Sequence, residues 1–271
     1  MVEFGFPAVL KRKLSLAFIR LDSELRAWRA LGVAPKLWWR DDDAHRDSAQ
    51  LQQLRQLLAA ETLLLAVVPG LLNDDLVRSL QGDRRVGVAQ HGWKHLNHAA
   101  PGCHPSEYPA SRERGQVEQE LAAGQRILAD AFPTNFHRVF VPPWHSCVPW
   151  VLQEAVNLGF DGVSVAAPPL PLQAHGYPGE ANIEIDVSDW SRGGRFIGAS
   201  RFSTSVVKAL RVRRERSAFD VPLGILSHHA CLSDEDFGCL RQFIEVMRKR
   251  GVRWERLGAL FPRRERGSGE A

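Results

Sequence analysis

The chain has 271 residues, of which 44% are hydrophobic and 24% are charged, which is enough to bury the core of one large domain. The longest nearly apolar run, TLLLAVVPGLL, is too short to span a bilayer and is interrupted by proline and glycine, so we expect no membrane contact. The net charge is +4, and no nucleic-acid-binding motif accompanies the basic runs RVRRER (211–216) and PRRER (262–266). We interpret these runs as a solvated helix face and a frayed tail, and expect no nucleic-acid partner.

The first 35 residues are predicted to form a helical segment that packs on the rest of the domain. Apolar residues recur with helical spacing over residues 8–31, at Leu10, Leu14, Phe18, Leu21, Leu25 and Trp28. The basic cluster KRK precedes the short apolar stretch LSLAFI, but Arg20 and Asp22 interrupt that stretch, and no small-residue cleavage site follows. We therefore expect a cytoplasmic protein.

From residue 36 onward, short β-prone runs alternate with helical stretches. The β-prone runs are, in chain order, KLWWR, TLLLAVV, RVGVAQ, RVFVP, GVSV, NIEIDV and GILSH. The helical stretches cover residues 48–60, 112–131, 149–158, 203–213 and 234–250. This alternation predicts an α/β fold with a largely parallel sheet. We find no interior linker, so residues 36–260 are predicted to form one domain, followed by a disordered tail at 261–271.

Unusual polar and aromatic residues follow five of the β-prone runs, at the point where each run ends. They are Asp41, Asp42 and Asp43; His91 and His95; Pro142, Pro143 and Trp144; Asp186, Asp189 and Trp190; and His228 and His229. In (β/α) barrels the carboxyl ends of the strands converge on one face, where the active site is built. Groups that are far apart in the sequence are therefore expected to be neighbours in space.

Three of these side chains form a candidate metal site. His91 and His95 are four positions apart in the stretch AQHGWKHLNHA, a spacing that lets both imidazoles point the same way. Asp43 would add a carboxylate. Two imidazoles and one carboxylate leave coordination positions open for water and substrate, as in a catalytic zinc or iron site.

Hydrolysis at an open metal site also needs an acid and a base. The metal polarises a carbonyl and acidifies a bound water, a base takes the proton of that water, and an acid protonates the leaving group. Asp42 is placed to be the base and His228 to be the acid. Asp189 or Asp186 could adjust either partner by charge and hydrogen bonding.

The order of these clusters resembles that of the polysaccharide deacetylases, also called the NodB homology or carbohydrate esterase family 4 group. The resemblance runs from about Lys36 to His229 and rests on five short motifs. It implies a distorted, TIM-like (β/α) barrel of about seven strands.

The first two motifs of the family carry the base and the metal ligands. A strand ending in Asp-Asp, with an Arg-x-Asp-Asp variant in one branch, matches residues 40–43. The resemblance implies that Asp42 is the base and Asp43 a ligand, with Asp41 and Asp42 as the alternative pair. His-x-x-x-His matches His91 and His95, which implies two further ligands.

The third motif, usually Arg-x-Pro-Tyr, is represented here by VPPW at residues 141–144. Its arginine, which positions the catalytic carboxylate in relatives, is missing, so the orientation of Asp42 and the usual sugar substrate are both in question. Pro143 and Trp144 are expected to form one wall of the substrate groove, with a position in the core as the alternative for the tryptophan.

The fourth motif, Asp-x-x-Asp-Trp, is reproduced from Asp186 to Trp190. The resemblance implies that its second carboxylate, Asp189, adjusts the pKa of the acid or base, and that its tryptophan lines the groove. The fifth motif, Leu-x-His, matches Leu226 and His228. It implies a hydrophobic pocket wall and the general acid, respectively.

Further polar residues beside the motifs are predicted to support the site. They are Asp41, Asp186, Asn97, His98 and His229. We expect Asn97 and His98 to orient ligands or hold their loop, with a plain surface position as the alternative. His229 either supports the site or finds its partners elsewhere.

The resemblance implies a metal-dependent hydrolase that removes an N-acyl group, such as acetyl, from an amino sugar or related carbohydrate. One alternative is a hydrolase of a linear or cyclic non-carbohydrate amide on the same scaffold, and another is a non-catalytic carbohydrate-binding protein. We expect one divalent metal ion, zinc first, since the same ligands also accept cobalt, nickel, manganese or iron. The expected partner is a small-molecule or oligosaccharide substrate, and the sequence leaves the oligomeric state open.

Overall fold

A computed structural model describes residues 16–166 and 179–262. The strands are β1 (Lys36–Ala44), β2 (Leu63–Val67), β3 (Val86–His91), β4 (Phe136–Val141), β5 (Gly162–Val163), β6 (Ile185–Asp186), β7 (Ser188–Asp189), β8 (Arg195–Phe196), β9 (Leu223–Ser227) and β10 (Arg253–Trp254). The helices are α1 (Ile19–Ala30), α2 (Ala49–Leu57), α3 (Asp74–Leu80), α4 (Arg114–Ala131), α5 (Pro149–Asn157), α6 (Ala199–Glu215), α7 (Asp234–Lys249) and α8 (Leu257–Leu260).

Seven parallel strands curl into a half-barrel in the order β5-β4-β3-β2-β1-β9-β6. Strand β10 pairs with the first residues of β1, and β7 and β8 form a separate antiparallel pair. Helices connect the strands from β1 to β5 and from β8 to β10 and cover the outside of the sheet, because parallel strands need a crossover to return to the same edge. This architecture confirms the predicted distorted (β/α) barrel.

Side chains along the strands alternate between two environments. On β1, Trp38 belongs to the cluster inside the half-barrel, whereas Trp39 belongs to the cluster between the sheet and the helices. The period of two then sends Arg40 and Asp42 inward and Asp41 outward. The interior cluster consists of Trp38, Leu64, Ala66, Ala89, Val139, Val141, Ile183, Leu226, Leu257, Leu260 and Phe261.

Helix α1 packs along α6, on the side of the half-barrel. Its buried face includes Leu21, Leu25 and Trp28, and the Trp28 ring meets Phe219 edge-on at 5.5 Å between centroids. The N-terminal part of the helix predicted over residues 8–31 lies outside the described residues. No helix within 16–166 and 179–262 is both long and apolar enough to cross a membrane.

The basic run at 211–216 is not a uniformly solvated helix face, as the sequence suggested. Arg213 is buried and forms an ion pair with Glu184, and Arg214 donates to the buried Glu24 at 2.7 Å. Both acidic partners are distant in sequence, so the pattern of charges near the run does not reveal them. Residues 263–266 of the second basic run lie outside the described residues.

The folded domain extends one residue further than the predicted boundary at 260. Phe261 is 1% exposed, and its ring meets Trp38 edge-on at 5.9 Å between centroids. It therefore fills the lower interior of the half-barrel rather than beginning a tail. Of the rest of the predicted tail, Pro262 is exposed, and residues 263–271 lie outside the described part.

We predict that Phe261→Ala lowers the free energy of unfolding by about 3–5 kcal/mol, because it removes a ring from a packed interior. Urea denaturation followed by tryptophan fluorescence measures this change. Leu31→Ala, at a position that is 56% exposed, is the control and should stay within about 0.5 kcal/mol of the wild type. Equal stability of Phe261→Ala and the wild type would show that this end of the chain does not pack as described.

Candidate active site

The end of β1 directs three consecutive carboxylates to different places. The pairing of β1 with β2 shifts register between Asp41 and Ala44, and Asp43 has a left-handed backbone with φ of 69°. A bulge of this kind re-aims a side chain that regular alternation would send to the other face. Asp42 thus faces the interior of the half-barrel, while the bulge brings Asp43 to its mouth.

Asp43, His91 and His95 converge at that mouth. The Asp43 Oδ1 atom lies 3.1 Å from His91 Nε2 and 3.2 Å from His95 Nε2, and one ligand atom from each residue lies within 4.8 Å of the other two. Asp43 and His91 end strands β1 and β3, and His95 follows in a turn with φ of 55°.

The chemistry of these three atoms fits a divalent cation. His91 Nδ1 lies 3.0 Å from the carbonyl oxygen of Val141, and because a carbonyl only accepts, Nδ1 carries the proton. Neutral His91 then presents a lone pair at Nε2 toward the Asp43 carboxylate. Lone pairs that face each other repel unless a cation or a proton lies between them, and two imidazoles with one carboxylate are a zinc-type ligand set.

The charges around this cluster shift the pKa values of its members. Burial would raise the pKa of Asp43, but contact with His91 and the charges of the nearby histidines outweigh it and lower the pKa. Burial would lower the pKa of His91, but the carboxylates of Asp42 and Asp43 outweigh it and raise the pKa. Both shifts come from the closeness of carboxylates and imidazoles in the cluster, whereas burial and the charge of His91 lower the pKa of His95.

Glu107 holds the turn that carries the two histidines, and sequence reasoning missed it. This buried carboxylate accepts from the backbone N–H groups of Trp93 at 3.0 Å, Lys94 at 2.8 Å and Leu96 at 3.4 Å. A side chain at Gly92 would place its Cβ 1.9 Å from Glu107 Oε2, so only glycine fits there. Glu107 follows no predicted strand, and no pattern around it signals its burial.

Arg40 and Asp42 form a buried ion pair beside the metal-ligand cluster. The Arg40 Nε atom lies 2.8 Å from Asp42 Oδ1, and Nη2 donates to Oδ2 at 3.0 Å. Nη1 donates across the half-barrel to the Ser164 carbonyl and hydroxyl oxygens, at 2.9 and 2.6 Å. Burial would raise the pKa of Asp42, but Arg40 and the nearby histidines outweigh it and lower the pKa, so Asp42 is ionised at neutral pH.

The turn after β4 adds a tryptophan and a histidine to the site. Trp144 and His145 both have left-handed backbones, with φ of 53° and 55°, a conformation that costs about 1–2 kcal/mol per non-glycine residue. The Trp144 ring packs on His95 at 4.1 Å between centroids. His145 Nδ1 lies 3.2 Å from Arg40 Nη2. The third motif predicted Trp144 as a site residue. It gave no sign of His145, which follows the motif directly.

His228 lies on the opposite side of the mouth, next to Asp186. Its Nδ1 atom is 3.9 Å from Asp186 Oδ1 and 3.5 Å from the Ser188 hydroxyl. Trp190, which is 56% exposed, meets the His228 ring edge-on at 4.7 Å between centroids and donates its indole N–H to Asp186 Oδ2 at 2.8 Å. Burial raises the pKa of Asp186 above its usual value.

Solved structures similar to this chain include family 4 carbohydrate esterases and deacetylases. They include an esterase from Streptomyces lividans (16% identity, 82% of this chain and 92% of that chain, TM-score 0.53) and a peptidoglycan N-acetylglucosamine deacetylase (14%, 84% and 88%, TM-score 0.53). A pseudoenzyme from Bacillus anthracis is also similar (13%, 85% and 66%, TM-score 0.54). The chain has the fold of the family 4 carbohydrate esterases. No family model and no curated relative matches the sequence.

Within this family 4 fold, Asp189 does not lie where the fourth motif suggested. Its carboxylate accepts from the Ser191 hydroxyl at 2.5 Å and from Arg201 at 3.0 Å, whereas Asp186 is the carboxylate beside His228. The short strands β6 and β7 turn the two acids in different directions, and their spacing in the sequence does not reveal this.

Asp41 and His229 form a structural network on the outer face of the sheet. Asp41 accepts from the Ser227 hydroxyl at 2.5 Å and from the His229 backbone at 2.9 Å, and its Oδ1 lies 2.5 Å from His229 Nδ1. Trp39 donates to Ser227 at 2.8 Å. The network ties the end of β1 to the end of β9, and it places Asp41 outside the cluster that Asp43 shares with the two histidines.

The remaining residues that were predicted for the site are Leu226, Pro143, Asn97 and His98. Leu226 is fully buried in the interior cluster, because strand alternation points it down into the half-barrel rather than into an open pocket. Pro143 is buried under the Trp144 turn. The Asn97 side chain accepts from the Ala99 and Ser106 backbones and so holds its loop, whereas His98 is exposed.

We predict that Glu107→Gln weakens zinc binding about 10–100-fold, the usual effect of losing a residue that supports metal ligands. An amide would present N–H groups to backbone donors and so disturb the turn between His91 and His95. Isothermal titration with zinc measures the change. Glu118→Gln, at an exposed position of α4, is the matched control; unchanged zinc affinity in folded Glu107→Gln would contradict the assigned role.

Proposed function

We propose that the protein is a metal-dependent hydrolase that removes an N-acyl group, such as acetyl, from an amino sugar or related carbohydrate. The observation that carries this proposal is the position of Asp42. Arg40 holds this ionised carboxylate beside the Asp43–His91–His95 cluster, and His228 stands close enough to Asp42 for their charges to interact. Hydrolysis of an amide requires a base, an acid and a metal-ligand set with open coordination positions, all facing one space.

Asp43, His91 and His95 would hold one divalent ion, for which zinc is our first choice. When bound, such an ion supplies Lewis acidity, which polarises a carbonyl oxygen and acidifies water. The two histidines and the aspartate also accept cobalt, nickel, manganese or iron.

Asp42 takes the proton of the attacking water, and Arg40 orients it. The third motif lacks the arginine that positions the base in relatives, and Arg40 supplies a guanidinium in two-point contact with Asp42 from within the same strand. Because residues two apart on a strand share a face, this contact needs no other element. The base is therefore oriented despite the altered third motif.

His228 protonates the departing amine. Its Nδ1 atom faces Asp186 and Ser188, which leaves Nε2 free to turn toward the mouth. The sequence offered Asp189 or Asp186 for the adjusting role, and we assign it to Asp186, because its carboxylate is the one that lies beside His228. Trp190 and Trp144, on opposite sides of the mouth, form the walls of the groove, as aromatic rings do in many sugar-binding sites.

We predict that the zinc-loaded protein releases acetate from at least one N-acetylated sugar. A side-by-side screen of acetylated hexosamines, chitooligosaccharides and cyclic amides, with released acetate or opened ring as the readout, tests the proposal. Turnover of cyclic amides alone would move the substrate to the non-carbohydrate class. Absence of turnover on all three in the metal-loaded protein would favour a non-catalytic binding protein; a pseudoenzyme with a similar fold is known.

Asp42→Asn should retain zinc but lower kcat about 10²–10⁴-fold, the typical contribution of a general base. The amide keeps the size of the carboxylate but accepts no proton at neutral pH. Asp189→Asn, which changes an acid outside the cluster, is the matched control and should retain activity within a few-fold. Full activity in Asp42→Asn would remove Asp42 from the mechanism.

A further inference from the structure

His145 is a fourth imidazole at the mouth, and neither the metal cluster nor the proposed acid accounts for it. Its Nδ1 atom lies 3.2 Å from Arg40 Nη2, and the charges of Asp42, His91 and His228 act on its pKa, so the ring lies inside the same site. The side chain is half-buried. Two consecutive left-handed residues, Trp144 and His145, bring it there, and strained backbone of this kind is concentrated at functional positions.

The contact with Arg40 fixes the tautomer of His145. Arginine N–H groups only donate, so His145 Nδ1, 3.2 Å from Arg40 Nη2, must be the acceptor. The proton of the neutral ring is therefore on Nε2. Burial and the positive charge of Arg40 also lower the pKa of His145 to about 3, so the ring stays neutral at physiological pH.

The Nε2–H group of His145 has no acceptor among the described residues. Within residues 16–166 and 179–262, no protein group accepts a hydrogen bond from this atom, and it is not among the buried polar atoms that lack a partner. It is thus an oriented donor that faces solvent at the mouth. A neutral donor beside an ionised base suits an uncharged oxygen such as a sugar hydroxyl.

We propose that His145 determines substrate specificity by donating Nε2–H to a ring hydroxyl oxygen of the sugar that carries the scissile amide. The proposal rests on the proposed deacetylase function. Arg40 has a second task in this arrangement, since the guanidinium that orients Asp42 also fixes the tautomer of His145. One charged group thereby positions both the base and the substrate-binding donor.

Kinetics with matched substrates test the proposal. The probes are N,N′-diacetylchitobiose and its monodeoxy analogues, each lacking one ring hydroxyl. For the wild type, one analogue should lose about tenfold in kcat/KM, the equivalent of one hydrogen bond. In His145→Phe that analogue and the parent should be hydrolysed with equal kcat/KM, and His145→Gln, which keeps an N–H near the position of Nε2, should restore part of the tenfold preference.

Two outcomes would overturn the proposal while leaving the deacetylase function intact. One is an equal loss of kcat/KM on all substrates in His145→Phe, which a purely structural role would give. The other is an Nδ1–H tautomer for His145 in the ¹⁵N NMR spectrum of the zinc-loaded wild type, where we expect Nε2–H and no protonation at pH 6. Absence of turnover of diacetylchitobiose and the other acetylated sugars by the wild type would instead reject the deacetylase function, and with it the role of His145.

Discussion

The arrangement of the site depends on one buried positive charge. Arg40 is fully buried in the half-barrel, where an unpaired guanidinium would be costly, so its N–H groups require partners. Its Nη1 and Nη2 groups find hydrogen-bond partners in Asp42, His145 and Ser164, from β1, the turn after β4, and the residue after β5. Each partner of this charge is held in place by it. Arg40 therefore both orients the Asp42 carboxylate and links the strands that meet across the interior of the half-barrel.

Strand geometry distributes the acidic residues of this arrangement among different tasks. Regular alternation turns Asp41 to the outer face, where it joins the ends of β1 and β9, and turns Asp42 inward to Arg40. The bulge at Asp43 then breaks the alternation and brings the third carboxylate to the histidines. Three consecutive aspartates thus serve as a structural tie, an ionised carboxylate next to an arginine, and a member of the candidate metal cluster.

Local patterns in the sequence were sufficient for the fold and for the clusters at the strand ends. The period of two and the helical spacing predicted an α/β fold with a largely parallel sheet, and the family resemblance implied the barrel. The His-x-x-x-His spacing predicted that His91 and His95 point the same way, and both lie beside Asp43. The sequence did not reveal which side chains make contact when they are far apart in the chain. The burial of Glu107, the pairing of Asp186 rather than Asp189 with His228, and the contact of Arg40 with His145 all depend on side-chain directions that motif spacing does not encode.

Elemental analysis of the purified protein tests whether Asp43, His91 and His95 form one divalent-metal site. We predict about one equivalent of metal per chain in the wild type and in Asp189→Asn, and a loss of that metal in both Asp43→Ala and His91→Ala. A wild-type protein that is purified without metal and also fails to bind added zinc, cobalt or nickel would contradict the account.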